Sequence, residues 1–220
     1  MKMRVGFDEL SKDLERAYSR MTSLEAVDGK SLDVQKTVHV VVDMVNGFVK
    51  TGPLSSKEVL SINESVAAFC SACEKANIPN YALCDCHPEG CSEFKTYPVH
   101  CVEKTEESEL TDELKKAASF RTFPKLSING WLEDDFRSAI IDGGFDTFIV
   151  TGDCTDMCVL QLVLSLKSGL NRINRESRVL VPMELVATCS LPSRMPESAE
   201  LASFLVMEAN GIEPVKNIIF

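Results

Sequence analysis

No stretch of this sequence is apolar for long enough to cross a membrane; the longest runs stop far short of the roughly 20 residues a spanning helix needs. The N-terminus alternates charged and apolar side chains, so it also lacks the apolar core of a secretory signal. Positive charge is scarce. With 23 Lys and Arg against 33 Asp and Glu, the formal net charge is -10, which argues against nucleic acid as a partner, because a polyanion needs basic side chains to neutralise its phosphates. The densest basic stretch, Arg172 to Arg178, is broken by Glu176 and reads as a solvated loop. Nine cysteines, an odd number with no export signal, point to free thiols in a reducing cytoplasm. Histidine is scarce too, with three in the chain, and two of them, His87 and His100, share one short window.

What is present is a regular alternation of strand and helix signals. Phe7, Leu10, Leu14, Ala17, Met21 and Leu24 recur at helical spacing, giving an amphipathic helix that ends near Asp28-Gly29 and must bury its stripe on its own domain or on a second copy. The β-branched run Val38–Val42 is apolar on both faces, as a central parallel strand covered by helices would be. Further strands are expected at Tyr81–Cys84, Ser119–Phe123, Thr147–Thr151, Arg178 onward to Ala187, and Pro214–Ile218. Helices are expected over Lys57–Ala76, Ser108–Ala118, Leu132–Ile141 (capped at Gly143-Gly144), Met157–Ser168 and Ser198–Asn210. The pattern predicts an α/β fold: one doubly wound, mostly parallel six-stranded sheet with helices on both faces, spanning 31–220, preceded by a helical extension over 1–30.

In such sheets ligands sit beyond the carboxyl ends of the strands, at the switch in strand order. Three strands here end in reactive residues: the first in Asp43, the second in Asp85 and His87, the fourth in a loop leading to Cys158. Thr155 or Asp156 makes a good N-cap, which places Cys158 in the first turn of a helix, where unpaired N–H groups favour a thiolate; Asp156 opposes this unless a cation lies nearby. The alternative is that Cys158 is a small buried hydrophobe. Asp85, His87 and His100 suit a divalent metal such as zinc, iron or manganese, with Glu93 as a further oxygen donor; as alternatives, the histidines are solvated, or Cys84, Cys86, Cys91 and Cys101 hold a structural zinc. His39, inside a strand, reads as a satisfied core histidine, and Cys70-x-x-Cys73, at helical spacing, as core. Lys125, after Phe123-Pro124, is a surface lysine unless it reaches Asp43 and Cys158.

The segments Asp43-x-x-Asn46-x-Phe48 and Gly152-x-x-Thr155-Asp156-x-Cys158-Val159 resemble the isochorismatase-like cysteine hydrolases. Asp85-x-His87-Pro88 and Tyr97-Pro98-x-His100-Cys101-Val102 are similar to the metal segment of nicotinamidases and pyrazinamidases within that superfamily. The resemblance implies Cys158 as nucleophile, Asp43 as general base and Lys125 as the third member of a triad. It further implies Asp85, His87, His100 and Glu93 as ligands of one divalent ion, zinc foremost, and Phe48 and Tyr97 as walls for an aromatic ring. A cis peptide between Asp153 and Cys154, an oxyanion hole from the Cys154 and Cys158 amides and a small carboxamide substrate belong to the same expectation; the alternatives are another small amide, ureide or carbamoyl compound, or an inactive binding protein of the same fold, and a homo-oligomer is expected in addition. Val45, Gly47 and Glu103-Lys104-Thr105 depart from the pattern, where Gln, an acidic residue and glycines are usual.

Overall fold

A computed structural model describes residues 6–190 and 194–220; the first five residues of the expected extension lie outside them. Along the chain run α1 (Phe7–Thr22), β1 (Val27–Asp28), β2 (Thr37–Val42), α2 (Asn46–Val49), α3 (Lys57–Lys75), β3 (Asn80–Asp85), α4 (Asp112–Ala117) and β4 (Phe120–Lys125). They are followed by α5 (Asp134–Asp142), β5 (Thr147–Asp153), α6 (Leu160–Arg172), β6 (Arg178–Pro182), β7 (Val186–Ala187), α7 (Pro196–Ala209), β8 (Glu213–Val215) and β9 (Ile218–Ile219). The main sheet has the order β4-β3-β2-β5-β6-β8, with β7 beside β5, and every pairing in it is parallel. Among the described residues no helix is long and apolar enough to cross a membrane.

Side-chain alternation explains the two layers. Val38, Val40 and Val42 of β2, with Phe148 and Val150 of β5, face a core completed by α5, α6 and α7. Val41 and Ile149 face the opposite way, into a core completed by α2, α3 and α4. Burying both faces of a strand removes any need for polar alternation, which is why β2 and β5 read as continuous apolar runs. Cys70 and Cys73 lie fully buried in the second core, as their helical spacing suggested.

The sheet has seven strands rather than six. The segment expected as one strand from Arg178 to Ala187 breaks at a 3-10 turn, Met183–Leu185. Before the turn β6 pairs with both β5 and β8; after it, β7 returns alone to the end of β5, opposite Gly152 and Asp153. The expected final strand is likewise divided, β8 closing the main sheet while β9 pairs with β1 in a separate two-stranded ribbon. The first helix ends at Thr22, several residues early, because the chain beyond it enters that ribbon. Its stripe is only half covered: Met21 is buried and Arg20 pairs with Glu208 of α7, while Phe7 stays 82% exposed. The helix expected from Ser108 begins only at Asp112.

The chain runs outward from β2 to β4, returns to β5, and then runs outward the other way, so the switch in strand order falls between β2 and β5. There the backbones press together. Gly152 has φ 109, and a Cβ built on it would lie 2.0 Å from the Val42 carbonyl oxygen, a position only glycine tolerates.

His39 is a core histidine, with Nδ1 2.7 Å from Asn80 Oδ1 and Nε2 2.8 Å from Thr151 Oγ1. Burial lowers its pKa from 6.5 to about 4, partly offset by the Asn80 hydrogen bond. The unfolded chain therefore binds the extra proton first as pH falls, and stability should drop between pH 6.5 and 4 by about 3 kcal/mol from this group. Urea midpoints taken near neutrality and in mild acid should fall further for the natural sequence than for His39→Gln; equal falls would contradict the assignment.

Candidate active site

The parallel register delivers the site. Asp85 and Lys125 are opposed residues at the ends of β3 and β4, and Asp43 follows β2 directly. Asp43 adopts φ 55, uncommon for a side chain other than glycine, and accepts from Val45 N–H at 2.7 Å; this tight reversal turns its carboxylate out of the strand line. Lys125 Nζ lies 2.8 Å from Asp43 Oδ2 and 3.8 Å from Cys158 Sγ, and it also pairs with Asp85 Oδ1. A further bond to the Ser127 carbonyl at 3.1 Å uses the ammonium's remaining capacity. Asp43 Oδ1 accepts from the Asp85 N–H at 2.9 Å. Asp43 and Lys125 are both 0% exposed, so the lysine is not a surface residue, and Cys158 does not face hydrocarbon alone.

Burial and charge divide the two carboxyls. Burial raises Asp43 to about 7 despite Lys125, which places its proton exchange near neutrality. Burial acts on Asp85 too, but there Lys125 and the two imidazoles outweigh it and hold the group well below the usual carboxylate range. Burial also pushes the Cys158 thiol up, with Lys125 opposing it. Burial thus favours the protonated sulfur, against the pull of the neighbouring ammonium.

The turn that carries Cys158 differs from the expected cap. Thr155–Val159 forms a π-turn ahead of α6, entered through Cys154 after the cis Asp153–Cys154 peptide bond. Single π-turns are frequent at functional sites. Neither Thr155 nor Asp156 caps it: Thr155 Oγ1 donates to Glu200, and Asp156 accepts from Thr188 Oγ1 and pairs with Arg194. Arg194 is the cation that Asp156 required. It also donates to the Cys189 carbonyl at 2.8 Å, tying the segment after β7 to the nucleophile's turn.

Asp85, His87 and His100 offer ligand atoms to one point, and all three are buried. Asp85 Oδ2 lies 3.5 Å from His87 Nε2 and 3.4 Å from His100 Nε2, with Glu93 Oε2 3.9 Å from His87 Nε2. His87 Nε2 is buried without a hydrogen-bond partner, the orphaned state expected of a metal ligand. His100 Nδ1 meets the Pro98 carbonyl at 2.7 Å, the outer contact that commonly orients a ligating imidazole. The four-cysteine alternative finds no support: among the described residues the one cysteine in a group that could hold a metal is Cys91, with His87 and Glu93, whereas Cys84 and Cys101 are buried in the second core.

A small cavity of about 70 Å³ opens beside Cys158, lined by Phe48 and Tyr97 as expected and by Leu54, Ile128, Met157 and Cys189, which no motif marked. One departure at the rim, Gly47, has a packing cause. A Cβ on Gly47 would meet Cys101 Sγ at 2.6 Å, and nearby Glu107 accepts from the Cys101 N–H at 3.0 Å.

The parallel doubly wound sheet is an architecture shared with known proteins. The isochorismatase domain family matches residues 37–209. Nicotinamidase 1 of Arabidopsis thaliana is 33% identical over 170 residues, which cover 69% of this chain and 66% of the relative, a little under two thirds of its length. The pyrazinamidase of Pyrococcus horikoshii, solved in complex with zinc, superposes with a TM-score of 0.67 at 22% identity over 82% of this chain and 99% of that one. N-carbamoylsarcosine amidase of Thermoplasma acidophilum gives 0.66 at 21% over 82% and 96%. The chain belongs to the isochorismatase family.

Removing the ammonium would leave Asp43 and Asp85 buried without their cation. Lys125→Met should lose about 3–5 kcal/mol in urea denaturation, and adding Asp43→Asn should recover part of the loss. Unchanged stability of the single variant would contradict the central role of the lysine.

Proposed function

We propose that this protein is a metal-assisted cysteine amidohydrolase that converts nicotinamide, or a closely similar aromatic carboxamide, to the acid and ammonia. The observation that carries the reading is the meeting of Asp43, Lys125 and Cys158 beside a buried Asp85, His87 and His100 set. Similarity to a nicotinamidase and to a zinc-bound pyrazinamidase supports the substrate class and the ion. The cavity volume, far below the several hundred Å³ of drug-sized ligand sites, suits a single ring between Phe48 and Tyr97.

Asp43 takes the Cys158 proton, and Lys125 stabilises the charge that results on the sulfur. The sulfur attacks the amide carbon, and the oxyanion is held by the Cys154 and Cys158 backbone N–H groups, a kind of donor worth about 3–4 kcal/mol each. Asp43 returns the proton to departing ammonia, then activates the water that hydrolyses the thioester. A pKa of about 7 suits a group that must both accept and donate at neutral pH. Asp85, His87, His100 and Glu93 would hold the ion, zinc by the mixed imidazole and carboxylate donors, with iron or manganese accommodated by the same set. A bound divalent ion supplies an electrophilic anchor for a ligand lone pair.

The test is ammonia release from nicotinamide, pyrazinamide and N-carbamoyl compounds, with and without chelator. The aromatic carboxamides should be turned over and chelation should suppress it; turnover of carbamoyl compounds alone, unaffected by chelator, would reassign the substrate. Cys158→Ala should lower turnover by at least about 10³-fold while metal content by elemental analysis stays unchanged. Undiminished hydrolysis by that variant would remove the sulfur from the mechanism.

A further inference from the structure

His87 has two ring nitrogens, and the ligand set described above uses one of them. Nε2 faces Asp85 Oδ2 at 3.5 Å, whereas Nδ1, on another side of the ring, meets Cys91 Sγ at 3.5 Å. Local chain geometry makes the second contact. The Cys91 N–H donates to the Pro88 carbonyl at 3.1 Å, closing a turn whose third residue, Gly90, has φ 76. That turn folds Cys91 back onto His87, and the 3-10 turn Ser92–Lys95 carries Glu93 to the same place. The His87 backbone is hydrogen-bonded to Cys101 and Glu103, and Phe94 packs edge-on against its ring, 5.5 Å between centroids. Ligand atoms of His87, Cys91 and Glu93 lie within 4.8 Å of one another. Asp85, His87 and His100 form a group of the same kind without a sulfur. Cys91 and Glu93 are half-buried, so an ion can reach them from solvent, whereas the other set is buried throughout.

We propose that His87 Nδ1, Cys91 Sγ and a Glu93 oxygen form a second metal site, selective for a thiophilic divalent cation and exclusive of the first. The spacing fits. A metal about 2.3 Å from a sulfur and about 2.0 Å from an imidazole nitrogen, at a tetrahedral angle, leaves those two atoms about 3.5 Å apart. A thiolate donor shifts preference toward softer ions, which the oxygen and nitrogen donors of Asp85, His87 and His100 do not. Exclusion follows from the single proton on one ring. A neutral imidazole has one N–H and one lone pair. With an ion on Nε2 the proton sits on Nδ1 and is donated to Cys91. With an ion on Nδ1 it sits on Nε2, which then has no lone pair for a metal, and Cys91 has released its thiol proton to water. Glu93 is drawn to the sulfur side as well. Filling the second site thus dismantles the first. The exclusion rests on the reading of Asp85, His87 and His100 as ion ligands; the sulfur site does not.

The test titrates cadmium into the full chain, reduced and stripped of metal, and follows the ultraviolet sulfur-to-cadmium charge-transfer absorption. The first equivalent should raise the band. Cys91→Ser should weaken that binding at least about tenfold, the smallest loss usual even for outer contacts of a metal site, whereas Cys86→Ser should leave it unchanged. In the natural sequence, bound cadmium should shield Cys91 from iodoacetamide, mapped by peptide mass spectrometry, so a variant that folds poorly does not decide the outcome. Added to zinc-loaded protein, each cadmium bound should release one zinc by elemental analysis. Unaltered cadmium binding by Cys91→Ser, or Cys91 alkylated as fast with cadmium as without, overturns the site. Cadmium bound with all zinc retained overturns the exclusion. A natural protein that takes up no zinc would overturn the exclusion together with the reading it rests on, while the band and the shielding still decide the sulfur site.

Discussion

One buried ammonium organises this molecule. Lys125 carries its charge at the end of an edge strand, wholly out of water, and survives there because Asp43 and Asp85 arrive from the next two strands. Desolvating such an ion costs several kcal/mol, and only close, complementary partners offset it. The parallel register meets that demand without any loop having to find its place: the three residues stand at or next to the carboxyl ends of neighbouring strands β4, β3 and β2. The geometry of this cluster and the packing of the sheet are in this sense one arrangement.

Asp85 joins two systems that would otherwise be separate. One oxygen faces Lys125 and the other faces the paired imidazoles. Its depressed pKa and the raised pKa of Asp43 arise within one charge cluster, which holds one carboxyl below the usual range and lifts the other above it. Environments that drive two acids apart in this way commonly mark a division of catalytic labour. Here the low-pKa carboxylate faces the imidazoles, and the raised one lies beside the lysine that reaches the sulfur.

Much of this was legible in the residues, for identifiable reasons. Val38–Val42 and Thr147–Thr151 announced central strands because burial on both faces leaves an unbroken apolar run. The strand-end acids announced a rim because polar side chains following such runs have few other places to go. Less visible were features decided by distant neighbours. A two-residue strand such as Val186–Ala187 has no period to detect, so seven strands read as six. Thr155 and Asp156 looked like caps by local propensity, but Glu200, Thr188 and Arg194 claim their side chains from far along the chain. The only hint of Arg194 was indirect, an acid beside a nucleophile with no countercharge in sight.

Gly152 has no side chain, yet it sets the gap between the strand that ends before Asp43 and the strand that leads to Cys158. A lone methyl group there would act as a wedge, levering the two halves of the sheet apart at their seam. The chemistry of the rim is thus hostage to a residue with no functional group at all, and damage to it could leave every polar side chain intact while the machine loses its calibration.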